Sequence, residues 1–404
     1  MKMWSSSCQS GRIACSTHGR AKGSNIQQRD QSQKSKLPCA MLPYDPIPEL
    51  QVPVPYILTS HLVRMTPIPH EETPPLEPTK VEEVTSEVAE ECLLTKAEMF
   101  YQEDKVFEAA TILKSVDPDT LENKHHAMLK RAEEAENLVK ELKSNPEGGG
   151  WIDRGVSTGK FPTRILYRLE ESDSKTELRA RCETPIKKEL LSSLLSVLNE
   201  SELYETWLPS FSYPRFKVRE VKKLKQSGRV SQILIVVMDL PWPISSREVV
   251  LSASAFDDIE AHGHIGIKLK NIETKDDDVV PEPDPKCVRV DVDGGFLFET
   301  CPKDHPTIKF IENDSGEEMI LVSFSAVMNP NMKGLPQSLL NFLVKTALGT
   351  MWKMLLQIAQ DVKDGKRPDH ASAIERKKEE LYDYINGRVD VMLSVIKNMD
   401  MAML

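Results

Sequence analysis

Three groups of residues in this 404-residue chain have types and spacings that chemistry uses. His262-x-His264 sets two imidazoles at a separation that suits paired metal ligands, but no third ligand pattern accompanies them. Cys301 and His305, within ETCPKDHP, offer a thiol and a base four residues apart, the raw material of nucleophilic catalysis. A rigid strand-to-loop connection accounts for the same residues. Asp276-Asp277-Asp278 reads as a solvated acidic loop. The larger signatures are missing from the sequence: there is no HExxH, no GxSxG, no P-loop, and no GxGxxG leading into a helix. The expectation is therefore no catalytic residue, no metal and no cofactor, so the elements around these residues must be read for binding.

Composition narrows the classes further. Forty per cent apolar and 28% charged residues is ordinary soluble composition, with room for two or three domains and a large core. A net charge of −10 argues against nucleic acid as a partner, because a phosphate backbone asks for a basic field. Seven scattered cysteines, with no CxxC pair, suggest neither a zinc site nor a disulfide framework and favour a reducing, cytoplasmic setting.

Residues 1–80 read as a tail. The first 36 carry seven basic residues against one acid, Asp30, which fits a disordered segment or, alternatively, an organelle-targeting one. Eleven prolines follow between 37 and 80, so that stretch cannot wind into a helix and reads as extended linker. Residues 81–145 turn helical, broken at Asp117-Pro118, and predict a hairpin or small bundle able to dock a protein partner. Asn145-Pro146 and Gly148 to Gly150 mark a hinge.

Beyond the hinge the period changes from 3.6 to 2. Strands are expected at Arg164–Glu170, Thr176–Cys182, Arg215–Lys223, Val230–Asp239, Glu248–Phe256, His264–Asn271, Cys287–Val292, Gly295–Thr300, Thr307–Glu312 and Met319–Met328. Turns are expected at Ser227-Gly228, Asp293-Gly294-Gly295 and Asp314-Ser315-Gly316. One helix, Ile186 to Leu198, interrupts the strands after Thr184-Pro185. A long helix, Leu335 to Lys363, closes them. Its apolar stripe holds Leu340, Val344, Ala347, Met351, Leu355 and Ile358. Lys345 and Lys353 inside the window exclude a membrane-spanning reading. The stripe must cover either the sheet or a ligand between helix and sheet.

Four segments, in order, resemble the START (steroidogenic acute regulatory-related lipid transfer) family. They are Tyr204-Glu-Thr-Trp207, the PWPISSREVV segment from Pro241 to Val250, Gly295-Phe-Leu-Phe298, and Asn329-Pro-Asn-Met-Lys-Gly-Leu-Pro336 before the long helix. The resemblance covers residues 90–365 and is strongest from 184 to 360. It implies an α+β helix-grip fold, in which a curved antiparallel sheet wraps a long carboxy-terminal helix around one lipid. It further implies a lipid-binding domain at 150–365, with a helical extension at 366–404.

The expected function is non-enzymatic binding of a single lipid (a phospholipid, a sterol or another apolar molecule) in an apolar tunnel and its intermembrane transfer or sensing, with transient membrane contact. The alternative is a protein-interaction module of the same fold with a filled cavity. The tunnel wall is expected from the helix stripe with Met328 and Phe298. Trp242, Met332 and Leu335 are expected to touch membrane, and Asn329 to Pro336 to act as a lid. Sterol-binding and some phospholipid-binding members of the family have a basic residue on the strand after the PWP segment, aimed into the cavity. Here that strand reads VVLSASAF, so an uncharged floor is expected, with Ser252 or Ser254 as weak polar contacts. Arg247 and Glu248 are expected to form a structural ion pair or, alternatively, to help orient a headgroup. The basic residues from Lys217 to Lys225 read as a solvated strand edge, or alternatively as a patch for anionic membrane.

Overall fold

The computed structural model describes residues 81–146, 149–171, 176–212, 215–242, 244–311, 318–329 and 342–402. The expected tail, the lid residues 330–336, and Met332, Leu335 and Leu340 lie outside the described residues. Residues Leu76–Leu404 form one compact unit.

An antiparallel sheet dominates that unit. Its strands run β1 (Ile152–Ser157), β2 (Thr163–Glu171), β3 (Thr176–Lys187), β4 (Ser210–Phe211), β5 (Phe216–Gly228), β6 (Ser231–Asp239), β7 (Ser246–Asp258), β8 (His264–Asn271), β9 (Cys287–Arg289), β10 (Asp291–Thr300) and β11 (Met319–Asn329). The spatial order is β1-β2-β3-β11-β10-β8-β7-β6-β5-β4, with β9 lying parallel to β7. The sheet grips α6 (Gly349–Lys363), which makes the fold α+β of the helix-grip kind. At the centre, Trp352 of α6 stacks on Phe296 of β10 with ring centroids 6.2 Å apart, and its indole N–H donates to Thr184 Oγ1 at 2.8 Å. Leu355, Leu356 and Ala359 share this core with Leu191, Leu194 and Leu195 of α4 (Leu191–Asn199). Each of these leucines contributes about 1.5–3 kcal/mol by leaving water.

The other face of the sheet carries α1 (Val81–Gln102), α2 (Val106–Leu113) and α3 (Asn123–Lys143). Ala132, Ala135, Leu138 and Leu142 of α3 pack with Phe256 and Leu297, and Phe107 meets Phe256 edge-on at 5.6 Å. Arg181 pins the end of α3 by donating to the Ser144 carbonyl at 2.9 Å and to the Leu142 carbonyl, a favourable place for a cation. His125 is buried: its Nδ1 accepts from the Glu122 backbone N–H at 3.1 Å and its Nε2 donates to Glu98.

Several expectations change. β3 continues through Thr184-Pro185 to Lys187, and helix begins only after it. Pro185 pairs with Leu321 on one side, at a point past the last β2–β3 pair, so its missing donor costs no ladder bond there. Gly294-Gly295 is strand, not turn: a Cβ at Gly295 would lie 2.1 Å from the Ile267 carbonyl oxygen, so the glycines serve close backbone approach. Residues Ile308–Phe310 form a 3₁₀ turn where a strand was expected. The long helix is π-wound over Phe342–Leu348 before becoming α. Past α6 the chain forms α7 (Pro368–Arg376) and α8 (Asp383–Ala402), and α8 returns to pack on α4 and α5 (Ile259–His262).

Candidate functional site

A cavity of about 330 Å³ lies between the sheet and α6. Alternation fixes which residues reach it. From β6 these are Gln232, Leu234, Val236 and Met238, and from β8 Ile265, Ile267 and Leu269. From β7 they are Leu251, Ala253 and Ala255, and the two successive alanines leave the space that larger side chains would fill. The helical wall is Leu348, Met351, Trp352 and Leu355, flanked by Leu195 and Leu198 of α4 and by Tyr204, Trp207 and Leu208. Tyr204 and Trp207 meet edge-on at 5.4 Å, and Tyr204 Oη donates to the Leu198 carbonyl at 2.6 Å.

One end of the cavity is polar, and two of its elements lie outside the expected 150–365 domain. α8 contributes Tyr384, Ile385 and Arg388, and the α1–α2 corner contributes Asp104. Arg388 donates to Asp257 and, at 2.9 Å, to Glu260. Tyr384 Oη donates to the Glu103 carbonyl at 2.7 Å, and the Arg229 guanidinium lies 4.3 Å from the Tyr384 ring centre. Arg131 donates to the Ala255 carbonyl at 2.7 Å and to Asp104 Oδ1 at 3.3 Å. Burial pushes the Asp104 carboxyl up to about 6, against the opposing pull of Arg131. Burial likewise raises Tyr384, to about 12.

The expected site residues are distributed as follows. Met351 and Leu355 line the cavity. Ala347 packs beside it with Phe216, Val218 and Leu234. Val344 points instead to Tyr167 and Leu178, because the π turns advance more residues per turn and rotate it off the Met351–Leu355 line. Ile358 and Phe298 sit in the packed core, Phe298 stacked on Phe296 at 6.3 Å. Met328 packs with Val249, Val290 and Val292, off the cavity wall. Ser252 and Ser254 occupy the even positions of β7 and face away from the lining set Leu251, Ala253 and Ala255. The floor is thus not uncharged. Its charges come from Asp257 at the end of β7 and from helices outside the strand that was read.

Trp242 is 92% exposed in the β6–β7 turn, where the Ile244 N–H donates to the Pro241 carbonyl at 3.0 Å. Arg247 and Glu248 do not pair, since adjacent strand residues face opposite sides. Glu248 accepts from Arg289 at 3.0 Å, and Arg247 donates to the Ser245 carbonyl. In the basic strand, Arg219, Lys223 and Lys225 pair with Asp239, Glu202 and Asp277.

The sequence's chemical candidates resolve into structural roles. His262 and His264 stack at 5.8 Å and share Asp258 Oδ2, and burial lowers His264 to about 4, where it stays neutral. Burial drives the Cys301 thiol to about 12, far from a reactive thiolate. His305 bridges Thr307 Oγ1 at 2.6 Å and Glu183 at 3.2 Å, with Thr307 fully buried.

No protein-family model and no curated protein matches the chain. Among solved structures, human STARD10 is similar at 13% identity over 63% of this chain and 86% of that one, with a TM-score of 0.42. Human StAR-related lipid transfer protein 5 is similar at 13% identity over 58% and 97%, with a TM-score of 0.40. A STAR-related lipid transfer protein fragment from Xanthomonas axonopodis is similar at 19% identity over 52% and 99%, with a TM-score of 0.36.

Proposed function

We propose that this protein binds one lipid molecule in the cavity between its sheet and α6 and carries it between membranes or senses it. The observation that supports this is the lining: aliphatic and aromatic side chains from six strands and four helical segments face a space that none of them fills. Burying an alkyl chain of about ten methylenes there contributes about 8 kcal/mol, a micromolar affinity before ordering costs. The reading involves binding without chemistry, in keeping with a polar end whose charged groups are largely spent on one another.

The mouth is proposed at the sheet end that carries Trp242, with that exposed indole resting at a bilayer interface. Among the described residues no helix is long and apolar enough to cross a membrane, so the contact proposed is peripheral. Leu335, Met332 and Leu340 remain part of the proposed lid and wall. A protein partner at 81–145 would meet the outward side of α1, where Met99 is exposed. The test is to purify the protein from cells, identify co-purifying lipids by mass spectrometry, and follow lipid extraction from vesicles. Repeated recovery of none, with no extraction, refutes the proposal.

A further inference from the structure

The cavity's polar end contains one carboxylate whose position is unusual in three ways. Asp104 has φ +62°, the one positive φ outside glycine among the described residues. The residue is only 7% exposed and lines the cavity. Its Oδ2 has no hydrogen-bond partner, while its Oδ1 has a long 3.3 Å contact to an Arg131 that is better bound to the Ala255 carbonyl. A buried acceptor left without a donor is costly, and backbone strain of this kind persists only where its surroundings enforce it. Here the enforcement is visible: the Asp257 N–H donates to the Asp104 carbonyl at 3.0 Å, fixing the α1–α2 corner against the end of β7.

The neighbours of that carboxylate limit what can satisfy it. Arg131 from α3, Arg229 before β6, Tyr384 from α8 and Asp257 act on it directly, while Arg388 from α8 is held by Asp257 and Glu260, and Lys105 pairs with Glu260. Three guanidinium groups make a cationic ligand group unwelcome. Asp104, Asp257 and Glu260 do the same for a phosphate or carboxylate. Tyr384, Arg388 and Gln232 are already hydrogen-bonded, Gln232 accepting from Ser201 at 2.8 Å and donating to the Asn199 carbonyl at 3.2 Å. What remains favourable is a neutral donor on an otherwise apolar molecule. Resting on the lipid-binding reading above, we infer that Asp104 accepts a hydrogen bond from the hydroxyl group of an uncharged lipid alcohol held at this end of the cavity.

The test compares a long-chain primary alcohol with its methyl ether on the delipidated full-length protein, read by the fluorescence of Trp207 and Trp352, which both line the cavity. At about pH 8 the wild type should prefer the alcohol by about tenfold, the size of one hydrogen bond to a charged group. Asp104→Gly keeps the positive φ without strain and should bind the two probes equally. Asp104→Asn also tolerates that conformation, but its amide can accept from the alcohol and donate to the ether, so the preference should shrink without binding being lost. Lowering the pH to about 5 protonates the carboxyl, which then donates to the ether oxygen, so the preference should shrink. Equal binding of both probes by the wild type, or an unchanged preference in Asp104→Gly, overturns the hydroxyl inference and leaves the cavity reading intact. Failure of the wild type to bind either probe or any vesicle lipid overturns both.

Discussion

Replacing Ala253 by leucine distinguishes an open cavity from a packed core by the sign of one free-energy change. Ala253 points from the middle of β7 toward α6, and both it and Ala255 border the cavity of about 330 Å³. Leucine adds three carbons. If they enter vacant space, their burial contributes about 2.4 kcal/mol, less about 1 kcal/mol of rotamer entropy, for a net stabilisation of about 1.5 kcal/mol. If the space is packed, the same carbons force their neighbours off their rotamers and cost about 1–3 kcal/mol. The two cases differ by about 3 kcal/mol, well above the error of a urea titration with constant slope. The measurement needs delipidated protein, since bound ligand stabilises the wild type by mass action. Uptake of a fluorescent lipid from vesicles should fall in step. Destabilisation by 1–3 kcal/mol with uptake unchanged would refute the cavity.

Three further outcomes are expected. Asp104 has a folded-state pKa raised from 3.8 to about 6, so the folded state holds its proton over that window and this group's contribution to stability is lost as pH rises through it. Relative to Asp104→Asn, the wild type should therefore lose about 3 kcal/mol between about pH 4 and pH 7 in paired denaturant titrations, and a constant difference would contradict the burial argument. Trp242→Ala should weaken binding to anionic vesicles in a flotation assay by about tenfold, while leaving the unfolding midpoint unchanged. Equal flotation of variant and wild type would remove the indole from the membrane contact. Gly295→Ala should cost about 3 kcal/mol, because its Cβ would collide with the Ile267 carbonyl and with Leu138; a neutral result in thermal unfolding would show that the β8–β10 ladder can shift.

The sequence disclosed the fold more fully than it disclosed the site, for physical reasons. Period-2 alternation placed β6, β7, β8 and β11 to within a few residues, because a strand buried on one or both faces must repeat its apolar residues. Thr184-Pro185 and Gly294-Gly295 misled because proline and glycine also serve strands where a ladder loses its partner or a backbone comes close. The helix stripe located Met351 and Leu355 on the wall, yet it misplaced Val344, since a π turn leaves no mark in a pattern read at 3.6 residues per turn. Ser252 and Ser254 were assigned by chemistry and lost by parity. Asp104, Tyr384 and Arg388 had no local signal at all, as they come together only when two helical segments about 280 residues apart meet the end of one strand.

That meeting also orders events in time. Arg388 neutralises Asp257 and Glu260 across 131 and 128 residues of chain, and Tyr384 reaches Glu103 across 281. A ribosome adding about 5–20 residues each second needs about 1–5 s to pass from Lys363, the last residue of α6, to Arg388. During that interval the sheet and its apolar hollow can form while the hollow's far end stays open to water and to chaperones. The last stitch of the vessel is therefore sewn late, and the first molecule to occupy it can enter before the vessel is closed.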